Sequence, residues 1–345
     1  MEIVRIGIVG SGYMGRTYAE TTARYNQHCH LTAIAGGRRA ADLAAEYGVD
    51  ATPSVEALME REDVDAVILA MPEQARLEYA RLAATAGKHV LSEKPMAPSV
   101  EQCTAIIDAC RDAGVTLMVC QTARYRGTPA RAKQLIDEGR IGQVWMVRSL
   151  STALQEDYRI AARDKSWIVD PASGGFFYDQ GVHNFDMLCW LTGQRPRQVF
   201  ATVTTYSELP WPRMSAMAQI TFDGGATAQL SVCMEMPGTT FPVSDFRFQV
   251  FGEKGVLDFD QYEHVDLGVD GRWERIWQQP RIDYVNEPNS PVRLEAHAAV
   301  TQEFVDAIRE GRAPAVTGED GRTAVALCEA CITSADSGQA VPVQA

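Results

Sequence analysis

The chain is 345 residues long, 46% apolar, and carries 32 basic against 45 acidic side chains for a formal charge of -13. This length suggests two domains, and the apolar share is enough for a sizeable core and argues against disorder. The acidic balance excludes nucleic acid and anionic membrane as natural partners, and no apolar run reaches the length of a membrane span.

The opening residues run from Met1 straight into a strand, with no basic segment leading an apolar signal region, so a soluble cytoplasmic protein is expected. Ile3–Val9 reads as a buried strand that enters Gly10-Ser11-Gly12-Tyr13-Met14-Gly15. A helix over Arg16–Tyr25 and a strand over Leu31–Ala35 follow. Strand, glycine turn, helix and strand form the context in which G-x-G-x-x-G carries meaning. Glycines let the turn close and let the backbone approach a pyrophosphate at a helix N-terminus. The bland alternative, a plain tight turn, is weak in this setting.

A second strand of this kind delivers an acidic residue to the ribose of NAD. Here Gly36-Gly37-Arg38-Arg39 stands in its place, with Asp42 and Glu46 only later, on the next helix. Small residues beside paired guanidiniums favour the 2′-phosphate of NADP over NAD, although the same arginines would also suit a solvated helix start.

The alternation continues through helices over Ala40–Tyr47 and Ser54–Met59 and a strand over Val64–Ala70 that ends at Met71-Pro72. A helix over Gln74–Ala86, a strand over His89–Leu91, a helix over Ser99–Ala113 and a strand over Val115–Cys120 complete it. This pace predicts a doubly wound parallel sheet over residues 1–122. Glu93 and Lys94 fall just past the carboxyl end of one strand, the edge where such sheets bind ligands.

Beyond residue 122 a short helix over Arg131–Glu138 leads into strand signals over Val144–Ala153, Gln198–Tyr206, Met217–Phe222, Ala226–Met234, Arg247–Phe251, Val256–Phe259 and His264–Val269. Asp223-Gly224-Gly225 forms a hairpin-type turn. Helices over Leu294–Glu310 and Arg322–Ser334 close the chain. Residues 123–345 therefore read as an α+β domain with a large, open, mostly antiparallel sheet, suited to substrate binding and oligomerisation. An open sheet with few helices invites a partner subunit on its bare face, hence a homodimer or homotetramer.

Inserted among these strands, Gly174 to Asp186 carries Asp179, His183 and Asp186 at i, i+4 and i+7, on one helical face. The duller readings are a helix histidine, an N-cap aspartate and, for Lys94, an exposed cap. The other histidines (His28, His30, His89, His264, His297) have no such company. The eight cysteines lie singly among apolar neighbours, and Cys328/Cys331 has no second pair or histidine nearby, so no metal site is expected.

Four motifs in order, Gly10-x-Gly12-x-x-Gly15, Ala86 to Pro95 with its Glu93-Lys94-Pro95 end, Arg140-Ile141-Gly142, and Gly174 to Asp186, resemble the glucose–fructose oxidoreductase / inositol dehydrogenase (Gfo/Idh/MocA) family. The resemblance implies a Rossmann domain, an antiparallel-sheet domain, and oxidation or reduction of a secondary alcohol on a sugar or cyclitol. It makes Lys94, Asp179 and His183 the catalytic trio, with Met71, Pro72 and Glu93 beside the cofactor. The chain departs from the family pattern where an Asn and a His often follow the counterpart of Pro72. Glu73 and Arg76 take those places here.

A histidine with an ordinary pKa near about 6.5 can accept the proton released with a hydride, and a lysine can donate to a developing alkoxide or a carbonyl. Which of the two takes the proton stays open. Trp167 and Tyr125 offer aromatic faces to a pyranose, and Arg124 offers donors to its hydroxyls. Three functions remain: a freely exchanging NAD(P)-dependent dehydrogenase of a sugar, glycoside or cyclitol, an enzyme that retains its nicotinamide for sugar–sugar oxidoreduction or glycoside cleavage, and a non-catalytic nucleotide-binding sensor. The intact trio disfavours the sensor.

Overall fold

The structure, a computed structural model, describes residues 3–164, 174–239, 246–280, 287 and 289–344. The first sheet is built from β1 (Val4–Val9), followed by α1 (Tyr13–Arg24), β2 (Cys29–Ala35), α2 (Ala40–Tyr47), β3 (Asp50–Ala51), α3 (Val55–Met59) and β4 (Ala66–Leu69). A 3-10 turn at Glu73–Ala75 leads into α4 (Arg76–Thr85), then β5 (His89–Ser92), α5 (Val100–Asp112) and β6 (Leu117–Val119). The six strands are all parallel, in the order β3-β2-β1-β4-β5-β6.

Ile6, Ile8 and the whole of β4 are buried, as parallel strands covered on both faces must be. Ser54 and Ser99 cap α3 and α5 by accepting from the amides of Ala57 and Gln102 (3.1 and 3.2 Å). The chain builds outward from β1 to β3 and then returns to lay β4 on the other side of β1. The order therefore reverses between β1 and β4, and their carboxyl ends flank the crevice that such a switch creates.

The second sheet follows α6 (Gly127–Asp137). Its strands are β7 (Val144–Leu154), β8 (Pro196–Thr204), β9 (Ser215–Phe222), β10 (Thr227–Met236), β11 (Phe246–Gly252), β12 (Gly255–Asp260), β13 (His264–Val269) and β14 (Arg272–Gln278). Between β7 and β8 lie α7 (Gln155–Asp164) and α8 (Gly175–Thr192). After β14 come α9 (Pro291–Glu310), α10 (Gly318–Ser337) and β15 (Val341–Pro342), which closes one edge of a nine-stranded sheet ordered β14-β13-β12-β11-β7-β10-β9-β8-β15. All its pairings are antiparallel except β7 with β10.

The turn at residues 223–225 joins β9 to β10, with Gly225 at φ +91° and the Phe222 amide donating to the Ala226 carbonyl at 3.0 Å. After residue 126, three elements lie outside the sequence expectation. β14 is polar and mostly exposed, so it shows no apolar alternation, and its pairing with β13 is reinforced by the Arg275–Asp266 ion pair (2.5 Å). α7 is mostly polar, and β15 is only two residues long.

One face of this sheet packs inward through Val147, Val199, Ala201, Ile220, Leu230 and Val232. α8 lies on that side, where Ser151 Oγ donates to Asn184 Oδ1 at 2.7 Å. On the opposite face Met146, Phe200 and Met217 stand 38%, 47% and 55% exposed around one shallow depression.

The chain clusters into two compact units, Met1–Tyr125 with Asp283–Arg322, and Arg126–Ile282 with Thr323–Ala345. The division therefore differs from the single cut expected between residues 122 and 123. The reason is α9, which docks on α1. Arg293 donates to Thr17 Oγ1 (2.8 Å), Asn26 donates to the Ala298 carbonyl (2.7 Å), and Leu294, Val300 and Phe304 are buried.

Candidate active site

Backbone crowding explains two of the three motif glycines, and open space explains the third. Gly10 ends β1 at φ +113°, its amide donating to the Ala35 carbonyl at 2.8 Å, and a Cβ there would lie 2.5 Å from the Ala70 oxygen. A Cβ on Gly15 would lie 1.9 Å from the Gly10 oxygen, so α1 can approach the strand only with glycine at that position. A Cβ on Gly12 would meet nothing within 4 Å among the described residues. Gly12 is the N-cap of α1, with no side-chain cap bond and no acidic residue in the first turn. The first amides of a helix have no partner within the helix and lie at its positive end, which is the donor set a pyrophosphate requires. The residues present fit a dinucleotide.

The turn after β2 is tied to this loop. Ser11 Oγ accepts from the Arg39 amide at 3.2 Å, and Gly36 and Gly37 hold φ of +76° and +81°. A Cβ on Gly37 would fall 2.4 Å from Ser11 Oγ. Arg38 and Arg39 are exposed, and neither guanidinium has a hydrogen-bond or ion-pair partner among the described residues. Glu46 is committed to Arg16 through two bonds of 2.6 and 2.7 Å. Tyr13 and Met14 open α1. Tyr13 is half exposed, and the Arg293 guanidinium lies 4.5 Å from its ring centre. Arg293 had no sequence signal, because its partner is 280 residues away.

At the neighbouring strand ends, Met71 and Pro72 follow β4, and Glu93, Lys94 and Pro95 follow β5, with a cis Lys94–Pro95 peptide. Glu93 is buried. Its Oε1 accepts from the Tyr18 hydroxyl (2.7 Å) and its Oε2 from the Lys94 amide (2.9 Å). Burial, reinforced by Cys120 and Glu93 nearby, pushes the Tyr18 hydroxyl well up from its ordinary value, so it remains a donor. Lys94 is half-buried, and α5 beyond it has Ser99 as its N-cap, so Lys94 is not an exposed cap residue. Glu73 and Arg76 are 1% and 3% exposed.

The second motif forms α8. Gly174, at φ +73°, is the N-cap, where a Cβ would strike the Tyr178 ring at 2.4 Å, and Gly181 lets Cys328 of α10 approach to 3.2 Å of its would-be Cβ. The helix is continuous from Gly175 to Thr192, which places Asp179, His183 and Asp186 on one face. Asp179 is the fifth residue of the helix and so is not its N-cap. Its Oδ2 accepts from Gln180 (2.8 Å). Asp179 and His183 are half-buried and Asp186 is buried. Lys94 belongs to the first unit and the α8 residues to the second.

Of the other candidates, Arg124 is buried, pairs with Asp320 (3.2 Å) and donates to the Ala315 carbonyl (3.3 Å). Tyr125 is half-buried. Trp167 lies outside the described residues. Among the remaining histidines, His89 accepts from the Thr116 amide (2.9 Å), and burial lowers its pKa. His297 meets the Tyr18 ring edge-on, and His264 lies between Glu263 and Asp266. Cys328 and Cys331 are buried thiols pushed up by burial. No metal-binding group of side chains occurs among the described residues.

Two family models match the chain. One, described as an oxidoreductase family NAD-binding Rossmann fold, matches residues 4–121, and its companion, the C-terminal alpha/beta domain of the same family, matches 133–344. The chain is 27% identical over 344 residues to inositol 2-dehydrogenase of Rhizobium meliloti (strain 1021), covering 96% of each protein. It is 28% identical over 340 residues to D-xylose 1-dehydrogenase (NADP(+)) 2 of Haloferax volcanii, covering 97% of this chain and 98% of the relative. Among solved structures it is similar to an oxidoreductase domain protein from Kribbella flavida, with a TM-score of 0.83, 26% identity and full coverage of both chains. With both halves matched in order, the chain belongs to the Gfo/Idh/MocA oxidoreductase family, a dinucleotide-binding Rossmann fold followed by the family's C-terminal alpha/beta domain.

Proposed function

We propose that this protein is an NAD(P)-dependent dehydrogenase that moves a hydride between nicotinamide and a secondary alcohol or ketone of a sugar, glycoside or cyclitol. The observation that carries this reading is Lys94, held by Glu93 at the carboxyl edge of a sheet whose switch point presents an open glycine cradle. The inositol and xylose dehydrogenases it resembles supply the substrate class.

A nicotinamide held over the Gly10–Gly15 cradle would supply the hydride acceptor for the carbinol carbon. The protein's own residues manage the proton left on oxygen. His183 accepts it or Lys94 relays it, Lys94 donates to the developing alkoxide, and Asp179, one turn before His183, orients the ring or holds a neighbouring hydroxyl. Arg38 and Arg39, exposed beside two glycines in left-handed conformation, support a preference for NADP. The bare face around Met146, Phe200 and Met217 supports a homodimer or homotetramer. No helix among the described residues is long and apolar enough to cross a membrane, and the proposed place of action is the cytoplasm.

A screen of sugars and cyclitols with both cofactors identifies the substrate. On it, Lys94→Ala and His183→Ala should each lower turnover by about 10²–10⁴-fold while cofactor affinity survives. Near wild-type turnover in either variant removes that residue from its role.

A further inference from the structure

A single buried cation ties together the two strand-end loops that carry the proposed chemistry. Arg76, the first residue of α4, is 3% exposed. Its Nε and Nη2 both donate to the Met71 carbonyl, at 3.0 and 2.7 Å. Its Nη1 donates to the Glu93 carbonyl at 2.7 Å and also to the Pro95 carbonyl. One planar fork therefore spans the turn that leaves β4 and the loop that leaves β5. The Glu93 and Pro95 carbonyls lie on either side of Lys94.

The other side of the same loop is held as firmly. Tyr18 and the Lys94 amide occupy the two oxygens of Glu93, and Ser92 Oγ donates to the Glu93 carbonyl at 3.1 Å. Removing a guanidinium from water is costly, and burial lowers the pKa of Arg76, against which Glu93 and Glu73 act. A buried cation bonded to carbonyls from two loops fixes their relative positions, because without it the Met71 and Pro95 carbonyls lose their charged donor and the Glu93 carbonyl keeps only the Ser92 hydroxyl. Lysine could not do this, since a point charge on a flexible stem lacks the rigid fork.

We infer that Arg76 is a positioning residue: it locks the Met71-Pro72 turn to the Glu93–Pro95 loop and so fixes the Lys94 backbone for the hydride transfer proposed above. The inference rests on that proposed activity, but the clamp itself can be measured without turnover.

Two readouts test it in Arg76→Met. The first is amide hydrogen exchange in the full-length protein. Peptides covering residues 71–76 and 92–97 should exchange at least about tenfold faster, while those over β1 and β4 stay protected. The second is kinetics. Turnover should fall about a hundredfold, the scale of an ångström-sized misplacement, with the dissociation constant for NADP+ nearly unchanged and the primary deuterium isotope effect on kcat increased. A general folding defect would lower the active fraction without moving the isotope effect. Should the Met variant fail to fold, Arg76→Lys keeps the charge and is expected to show both effects at reduced size. Loop exchange as slow as wild type in a folded variant overturns the inference whatever the activity. Wild type inactive on every polyol, with loop exchange accelerated in the variant, overturns the proposed activity and supports the clamp.

Discussion

The glycine cradle allows the fold and the cofactor seat to be separated by two single substitutions. In Gly15→Ala the new Cβ would lie 1.9 Å from the Gly10 oxygen and 2.8 Å from its carbonyl carbon, against the 3.4 Å at which ordinary contact begins. Both contacts are backbone, so no side chain can swing aside, and α1 must draw back from β1 by more than an ångström. Overpacking of this kind costs about 3 kcal/mol or more, which corresponds to roughly 6–12 °C in Tm for a unit of this size. Gly12→Ala is the opposite case. Its Cβ meets nothing within 4 Å among the described residues, and its φ of -79° suits any residue. The protein should therefore fold with an unchanged Tm, yet the added methyl stands where the pyrophosphate approaches the helix amides. A loss of about 1.5–3 kcal/mol of charge-assisted bonding weakens cofactor binding roughly tenfold to more than a hundredfold. Differential scanning calorimetry reads the first effect, and titration of protein fluorescence with NADP+ and NAD+ reads the second. If Gly12→Ala binds both cofactors as tightly as wild type, the open space over Gly12 is not the pyrophosphate seat and the reasoning fails.

Arg38→Ala should lower the ratio of kcat/KM for NADP+ over NAD+ by about tenfold or more, from a wild-type preference of roughly tenfold to a few hundredfold. A wild-type ratio favouring NAD+, or one that the substitution does not move, would show that the β2 turn has been misread. Glu235 governs acid stability in the second sheet. Burial pulls its carboxyl up, but Ser215 Oγ and the amides of Tyr206 and Ser207 donate to it at 2.7–3.1 Å and hold it below the usual range. Its contribution is therefore complete above the unfolded value near about 4.3 and fades as the pH falls through the lower folded value. Glu235→Gln should lose about 2 kcal/mol at pH 7 and progressively less as the pH falls through the lowered folded value. A gap in melting temperature that persists at low pH would refute this. On the open sheet face, wild type is expected to be the proposed dimer or tetramer in light scattering and Met217→Glu a smaller species, and a wild-type monomer at micromolar concentration would reject the interface outright.

What could be read from the residues alone was everything with a local period or a fixed spacing. The strand–glycine–helix entry at Gly10, the alternation that builds a parallel sheet, the placement of Lys94 just beyond β5, and the shared face of Asp179, His183 and Asp186 each depend on neighbours within a turn or two. Backbone geometry imposes those relations wherever the segment folds. Elements defined by distant partners were not visible. β14 is polar and becomes a strand only because β13 offers it a ladder, and α9 carries an ordinary apolar stripe that could serve any groove until α1 receives it. The parallel pairing of β7 with β10 across more than 70 residues is equally silent in either strand alone. Arg76 shows the limit most sharply. As a residue it reads as a departure from the family pattern, and only tertiary structure aligned three carbonyls from two loops with one guanidinium. Hydrogen bonds to backbone leave no trace in the identity of the accepting residues, since every residue has a carbonyl to offer.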